Sequence, residues 1–197
     1  MHHDEHWRHC IKTYKRYLDG NLTTNGNHLI SDFSGKEPLK WPGWDRCIYV
    51  LKLGGNIDFK SITNPSDPMG ILYIGGHHPG KKTCRFNELI KSSRNAVTTF
   101  NKSGHAWNDK AHSHPVAGSL TTSLLKNGFS IEKCEIELVC GDDFDELELI
   151  IGYQEEYHHI PPWNSNRKGS SIIESKEVRA GAVATGVTNI EFWTSQL

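Results

Sequence analysis

Two tyrosines in neighbouring apolar segments are the first side chains suited to chemistry. Tyr49 lies in residues 47–53, and Tyr73 lies in residues 71–76, a segment that ends in two glycines. A tyrosine hydroxyl donates and accepts hydrogen bonds, but it titrates at about 10 and needs cationic neighbours to act as a base. At glycine a backbone can pass close to a ligand. The pair can therefore handle a proton beside a bound anion, or it can be two half-buried strand residues.

A group of cations follows the second tyrosine. Arg85 has planar donors that match two phosphate oxygens at once, and the alternative for it is a surface ion pair with Glu88, one turn on. The candidate nucleic-acid-binding side chains are Lys81, Lys82, Arg85, Lys91 and Arg94. On their own, these cations fit a solvated helix face as well as a phosphate surface. With 22 Lys and Arg against 23 Asp and Glu, the chain has a formal charge of -1, so any nucleic-acid surface must come from such clustering.

A late segment supplies carboxylates and an amide. Glu146 and Glu148 lie in the run ELELII, and Asn164 ends the run PPWN. A hard cation such as Mg²⁺ prefers oxygen ligands and keeps several waters, so one carboxylate is a sufficient anchor when a phosphate supplies another oxygen. Either glutamate can hold such an ion, and either can equally be an exposed helix position.

Sequence patterns predict the elements that must position these residues. The two tyrosine segments are apolar, and the polar loop between them is rich in Asn, Asp, Pro and Gly, which is typical of a β-hairpin with a long loop. A helix is expected to follow, with Thr83 as N-cap and with Phe86, Leu89 and Ile90 as an apolar stripe. Arg85 falls off that stripe.

A third strand and a late helix are predicted next. Residues 131–140 alternate apolar and polar side chains, as a half-buried strand does. A helix is expected at residues 144–157, capped by Asp142 and Asp143. Its expected buried side chains are Leu147, Ile150, Ile151 and Tyr153.

The remaining segments show weaker patterns. Residues 4–18 have apolar side chains at helical spacing, and residues 115–126 have the same pattern with Gly128 as the stop. Residues 21–43 are polar and interrupted by glycines and prolines, which indicates a loop arm. Residues 95–114 also indicate a loop.

Histidines and cysteines bear on metals and on the compartment. Terminal histidines include His6 and His9; metal binding there is possible, but solvent-facing side chains are favoured because no cysteine or carboxylate spacing supports a site. Five cysteines without CxxC spacing indicate reduced thiols, with no disulfide partner. They are Cys10, Cys47, Cys84, Cys134 and Cys140. No apolar stretch has signal-peptide or membrane-span length, so a soluble cytoplasmic protein is expected.

Together these residues resemble the GIY-YIG nuclease superfamily. Its first tripeptide appears as Cys-Ile-Tyr at residues 47–49, and its second as Tyr-Ile-Gly at residues 73–75. The family has an arginine on the first helix after the hairpin, where this chain has Arg85. It has a glutamate on a late helix and an asparagine soon after, where this chain has Glu146 and Asn164.

The chain departs from the family pattern in three places. Cys47 replaces the first glycine, and Leu89 stands where some relatives have His or Tyr. The stretch from the late helix to Asn164 is also longer, so the metal ligand is Glu146 or, in a shifted register, Glu148. The loop histidines His105, His112 and His114 can take over the missing polar role, but for each alone a surface position is favoured.

The resemblance implies an α+β fold, an α/β sandwich with a small three-stranded antiparallel sheet flanked by helices. It divides the chain into an N-terminal helix and arm at residues 1–44 and a GIY-YIG nuclease core at residues 45–166. Residues 167–197 are then a C-terminal extension that packs on the core. The implied cofactor is Mg²⁺ or Mn²⁺, one ion per active site.

The resemblance also implies a divalent-metal-dependent endonuclease that hydrolyses DNA phosphodiester bonds. Tyr49 would be the general base, Tyr73 would hydrogen-bond the water or phosphate, and Arg85 would hold the phosphate. Glu146 would bind the metal, and Asn164 would orient the site. No separate DNA-binding domain is visible, so the chain most resembles the type II restriction endonuclease branch, which implies a homodimer cutting double-stranded DNA. The alternatives are a structure-selective or repair GIY-YIG nuclease and a catalytically inactive nucleic-acid-binding module.

Overall fold

The computed structural model describes residues 3–33, 47–53, 63–76, 85–103, 115–141 and 143–164. Within these residues, four α-helices and a four-stranded antiparallel sheet pack together as an α+β fold. The elements in chain order are α1 His3–Leu18, β1 Thr24–Leu29, β2 Cys47–Lys52, β3 Ile71–Gly76, α2 Arg85–Ser103, α3 Pro115–Lys126, β4 Glu135–Cys140 and α4 Glu146–Tyr157. The strand order in the sheet is β1-β4-β2-β3.

The sheet has a core on each face, because successive side chains of a strand point to opposite faces. Tyr49 and Leu51 of β2 pack in the core that also contains residues of α2 and α3. Ile48 and Val50 pack in the other core, with residues of α1 and α4. Since β2 lies between β4 and β3, all of its residues are buried. This explains why its sequence is nearly continuously apolar.

A buried carboxylate organises the loop that leads into β3. Asp67 accepts hydrogen bonds from the backbone N–H groups of Met69 and Ile71 at 2.8 and 2.7 Å. It also accepts one from the Tyr153 hydroxyl of α4 at 3.2 Å. Burial raises the pKa of the Asp67 carboxyl, although the hydrogen bonds from these N–H groups oppose that shift. The hairpin loop is thus tied to α4 by one side chain.

Helices α1 and α4 approach closely at a glycine. A Cβ atom on Gly152 would lie 2.2 Å from Tyr14 Cβ and 2.7 Å from the Cys10 carbonyl oxygen. Tyr14 also packs edge-on against Tyr153 and Tyr157, with ring centroids 5.8 and 6.2 Å apart. The N-terminal helix is therefore part of the same packed body as the sheet and α4.

The sheet has four strands, where the sequence predicted three. The additional strand is β1, which pairs antiparallel with β4 and lies in the segment predicted to be a loop arm. A 3-10 turn follows it at Ile30–Asp32. Most of the side chains of β1 are exposed, so it lacks the apolar alternation that marks a half-buried strand. Its strand conformation comes from pairing with the edge of β4, which a local pattern does not reveal.

The predicted loop at residues 95–114 was also wrong in its first part, because α2 continues to Ser103. No glycine or proline interrupts residues 85–103, and three hydroxyl side chains donate to carbonyls one turn earlier. These bonds run from Thr98 to Arg94, from Thr99 to Asn95 and from Ser103 to Thr99, at 3.0, 2.9 and 2.8 Å. Residues 104–114 lie outside the described part of the chain.

Two other boundaries differ from the prediction, while the helices at α1 and α3 are confirmed. The strand expected at residues 131–140 begins with a 3-10 turn at Ile131–Lys133 before β4. Helix α4 begins later than expected, and its N-cap is Asp145. Asp143 instead accepts a hydrogen bond from Arg16 of α1 at 2.7 Å. Leu147 is only partly buried, whereas Ile150, Ile151 and Tyr153 are buried as predicted.

No helix among the described residues is both long enough and apolar enough to cross a membrane. The proposed N-caps Thr83 and Asp142, and all of residues 167–197, lie outside the described residues.

Candidate active site

The Tyr49 side chain lies against a glycine of the neighbouring strand, in the second tyrosine segment. Gly75 of β3 is directly opposite Tyr49 of β2 in the antiparallel register. A Cβ atom on Gly75 would lie 2.5 Å from two carbons of the Tyr49 ring and 2.6 Å from its hydroxyl. The Tyr49 ring is buried and also packs edge-on against Phe86 of α2, with ring centroids 5.7 Å apart. Glycine at position 75 is therefore what allows this ring position.

Tyr73 lies on the same face of the sheet as Tyr49, because its register partner is Leu51. The two tyrosine rings have centroids 6.1 Å apart. Burial raises the pKa of Tyr73, and the charge of Glu146 adds to this effect. The charge of Arg85 and a hydrogen bond with Tyr49 oppose the shift without cancelling it. Tyr73 therefore stays protonated at neutral pH and can donate a hydrogen bond.

Arg85, the first residue of α2, lies beside both tyrosines. Its Nη1 atom is 2.7 Å from Glu88 Oε2, so the ion pair considered from the sequence is present. Burial works against the charge of Arg85, but Glu88 and the hydroxyls of Tyr49 and Tyr73 outweigh it and raise the pKa. About a quarter of the side chain is exposed, at 26%. The guanidinium is a permanent cation beside the two tyrosines.

Glu146 approaches the end of β3 from the face of the sheet on which α1 and α4 pack. It is the first residue of α4, and a Cβ atom on Gly76 would lie 2.7 Å from its Oε2 atom. Its negative charge contributes, after burial, to the raised pKa of Tyr73. The two glycines that end β3 thus have separate roles, since Gly75 makes room for Tyr49 and Gly76 makes room for Glu146. The sequence suggested only a general close approach here.

Asn164 fixes the backbone of the second tripeptide. Its Oδ1 atom accepts a hydrogen bond from Ile74 N–H at 2.8 Å, and its Nδ2 atom donates to the Ile74 carbonyl at 2.5 Å. The neighbouring Trp163 N–H donates to the Leu72 carbonyl at 3.0 Å. These bonds satisfy backbone groups along the edge of β3 that β2 does not pair. Asn164 therefore holds the β3 backbone between Tyr73 and Gly75.

Glu148, the alternative metal ligand, lies elsewhere. Its Oε2 atom accepts a hydrogen bond from Asp145 N–H at 2.8 Å, which completes a capping box at the start of α4. Its Oε1 atom is 3.6 Å from His9 Nε2 and 4.0 Å from His6 Nδ1. Of the two glutamates, Glu146 lies against Gly76 and acts electrostatically on Tyr73, whereas Glu148 is directed to α1.

The predicted nucleic-acid-binding cations are spread along α2. Lys91 is exposed, and Arg94 contacts Glu132 through an Nε to Oε1 distance of 3.3 Å. Arg94 is nine positions after Arg85, which is about 13 Å along a helix. Glu132 precedes the end of β4 that is remote from Gly76, so Arg94 lies away from the tyrosines. Lys81, Lys82 and the loop histidines His105, His112 and His114 fall outside the described residues.

The grouped residues combine two hydroxyls, a guanidinium and a carboxylate at one end of the sheet. Such a group can hold an anionic oxygen, donate a hydrogen bond to it and bind a hard cation beside it. The Glu146 carboxylate is partly exposed, so a bound ion would keep access to water. No protein-family model, curated protein or solved structure matches the chain.

Proposed function

We propose that the chain is a divalent-metal-dependent endonuclease with a GIY-YIG-like core, which hydrolyses phosphodiester bonds of double-stranded DNA. The observation that carries the proposal is the convergence of Tyr49, Tyr73, Arg85 and Glu146 beside the two glycines that end β3. These residues come from four different elements of the fold. A set of polar groups collected from separate elements, partly buried and acting on one another electrostatically, is typical of a catalytic site.

The donor set fits one Mg²⁺ or Mn²⁺ ion. Glu146 is a partly exposed carboxylate, and such ions accept one protein carboxylate when water and phosphate oxygens complete the shell. Glu146 would hold the ion, and the bound ion would neutralise charge on the leaving oxygen. Glu148 does not contribute to this ion, because its carboxylate is engaged by the capping box and faces α1.

Protein side chains would bind the phosphate and transfer the proton. Arg85 would hold the scissile phosphate and offset its growing charge, after exchanging part of its contact with Glu88 for phosphate oxygens. Tyr73 would donate a hydrogen bond, since its raised pKa keeps the hydroxyl protonated. Tyr49, beside the Arg85 cation, would act as general base and take the proton of the attacking water as the bond to the 3′ oxygen breaks. Asn164 would keep Tyr73 in place through the Ile74 backbone.

The specific form of this proposal is a restriction-type enzyme that acts as a homodimer on a palindromic site. The competing function is a catalytically inactive module that binds nucleic acid. The observation that favours the competitor is the 2.7 Å ion pair between Arg85 and Glu88, which already engages the cation that a nuclease needs for phosphate.

Cleavage of supercoiled plasmid separates the two functions. The wild-type chain should produce discrete linear fragments with Mg²⁺ and none with EDTA. Tyr49→Phe removes one hydroxyl from a buried ring, so it should abolish cleavage and keep DNA binding. Tyr157→Phe, which changes a partly buried ring remote from the pair, is the matched control and should cut normally. Binding without cleavage in the wild type, for several DNAs and divalent ions, would support the inactive module instead.

A further inference from the structure

We propose that His6, Cys10 and Glu148 form a Zn²⁺ site that joins α1 to the first turn of α4. The three side chains lie on the side of α4 opposite the tyrosine site, and the inference does not depend on nuclease activity. The sequence did not show Glu148 as a partner of these residues, because it is remote from them in the chain and reaches them only through the packing of α4 on α1.

The distances between the donor atoms suit a small tetrahedral ion. One ligand atom from each of the three residues lies within 4.8 Å of the other two. His6 and Cys10 are one turn apart on α1, and His6 Nε2 is 3.8 Å from Cys10 Sγ. For a tetrahedral zinc with bonds of about 2.0 Å to nitrogen and 2.3 Å to sulfur, these two donors would be about 3.5 Å apart. Donors up to 4.8 Å apart must approach by about 1 Å or more to share one ion, which side-chain rotation of the exposed His6 and of Glu148 can supply.

The carboxylate of Glu148 is already held in place for this role. Its Oε2 atom accepts the Asp145 N–H, while its Oε1 atom faces the histidines of α1. One oxygen therefore caps the helix, and the other is directed at the donor group. Ligands oriented by a second hydrogen bond lose less freedom when a metal binds. His9 Nε2 lies 3.6 Å from the same Oε1 atom and can orient the carboxylate further.

The donor types select zinc over the hard cations. A thiolate, an imidazole and a carboxylate form a mixed set that Zn²⁺ accepts, whereas Mg²⁺ and Ca²⁺ prefer oxygen alone. Water would complete a fourth position. Cys10 is fully buried while the His6 side chain is 48% exposed, so an ion can enter from the His6 side. An ordinary histidine-carboxylate ion pair beside a buried cysteine is the alternative that an experiment must exclude.

A metal here would bear on the neighbouring tyrosine site through α4. Glu146 precedes Glu148 by two residues, and the helix turns by about 200° between them, so the two side chains leave on opposite sides. Fixing Glu148 to α1 fixes the first turn of α4 and with it the position of Glu146.

Cobalt is the direct probe, because Co²⁺ replaces Zn²⁺ and a Co²⁺-thiolate bond gives an ultraviolet charge-transfer band. The full chain, reduced and stripped of metal, should bind one Co²⁺ with this band, and Zn²⁺ should displace it. Cys10→Ser should abolish the band, whereas Cys140→Ser, which changes a partly buried cysteine outside the group, should keep it. Glu148→Gln should weaken Co²⁺ binding at least about tenfold, while Glu155→Gln on the exposed side of α4 should not.

If Cys10→Ser does not fold, thermal unfolding of the other variants with and without Zn²⁺ still tests the proposal. Saturating Zn²⁺ should raise the Tm of the wild type by about 5 °C or more, and Glu148→Gln and His6→Gln should lose most of that rise. Glu146→Gln should keep both the band and the rise, because it belongs to the other site. A wild type without the thiolate band, a band that survives Cys10→Ser, or a Zn²⁺ effect unchanged by Glu148→Gln would each overturn the proposal.

Discussion

The two sides of the first turn of α4 carry glutamates with different surroundings. On one side Glu146 lies against Gly76 of β3, and its charge acts on Tyr73, as the charge of Arg85 also does. On the other side Glu148 meets its own helix cap and the His6 and Cys10 side chains of α1. The first group offers oxygen donors and a cation suited to phosphate, whereas the second offers mixed donors suited to zinc. Two carboxylates of the same type and almost the same sequence position thus differ in chemistry, because α-helical geometry sends them to different neighbours.

Neutralising each glutamate in turn should give the largest difference between the two sides. Glu146→Gln removes the proposed Mg²⁺ ligand, so plasmid cleavage should slow by at least about 100-fold. Glu148→Gln should leave cleavage in Mg²⁺ within about tenfold of wild type, because a glutamine side chain can still accept the Asp145 N–H hydrogen bond. Initial rates at saturating Mg²⁺ and without zinc measure both. Equal losses, or a larger loss in Glu148→Gln, would contradict the assignment of the Mg²⁺ ligand to Glu146.

Forcing α1 away from α4 should disrupt the group of His6, Cys10 and Glu148 and lower the free energy of unfolding. Gly152→Ala places a Cβ atom 2.2 Å from Tyr14 Cβ, a contact that only a shift of the helices can relieve. We expect the free energy of unfolding in urea to fall by about 3 kcal/mol. The cobalt-thiolate band should weaken too, because Cys10 moves away from Glu148. Glu155→Ala, an exposed substitution on the same helix, is the control and should change stability by about 0.5 kcal/mol or less.

Substituting each glycine of β3 separately should disturb either Tyr49 or Glu146. Gly75→Ala forces the buried Tyr49 ring aside, and it should cost about 2 kcal/mol of unfolding free energy as well as cleavage. Gly76→Ala meets mainly the mobile end of Glu146, so it should lower cleavage with less than about 1 kcal/mol of destabilisation. Urea unfolding combined with plasmid cleavage measures both effects. The interpretation of Gly75 fails if Gly76→Ala proves the more destabilising change.

Local patterns were sufficient for the elements that bury their own side chains. The hairpin of β2 and β3 was predicted because its apolar runs need no distant partner to be recognised, and the buried residues Ile150, Ile151 and Tyr153 of α4 followed from helical spacing. Strand β1 was missed because its residues are polar and become a strand only by pairing with β4. Sequence spacing alone therefore described the core better than the edge of the sheet.

The same limit applied to the candidate sites. Placing Arg85 and Glu146 beside the tyrosines requires the packing of α2 and α4, which the sequence alone does not give. The pattern Asp145-x-x-Glu148 matches a capping box, which the prediction of Asp142 and Asp143 as caps overlooked; it would have indicated that the Glu148 carboxylate is engaged at the helix start. Its second contact was not visible, because His6 and Glu148 are brought together only by the Gly152 crossing.

The smallest expected effect concerns a surface contact that holds α1 near the start of α4. Arg16 Nη1 donates to Asp143 Oδ2 at 2.7 Å, and this hydrogen bond lowers the pKa of the Asp143 carboxyl. A carboxyl whose pKa is lower in the folded state stabilises the fold above its unfolded pKa, 3.8, and loses that contribution as pH falls through the native value. Because the Asp143 side chain is 56% exposed, Asp143→Asn should cost only about 0.5 kcal/mol or less at pH 7.

Urea unfolding of wild type and Asp143→Asn between pH 7 and pH 3 measures this contribution. The difference between the two proteins should be constant at neutral pH and shrink below about pH 4, where the unfolded carboxyl takes up its proton. Asp19→Asn, which changes another exposed aspartate near α1, controls for the general effect of net charge. A difference that grows as pH falls would mean that Asp143 repels its surroundings in the folded state.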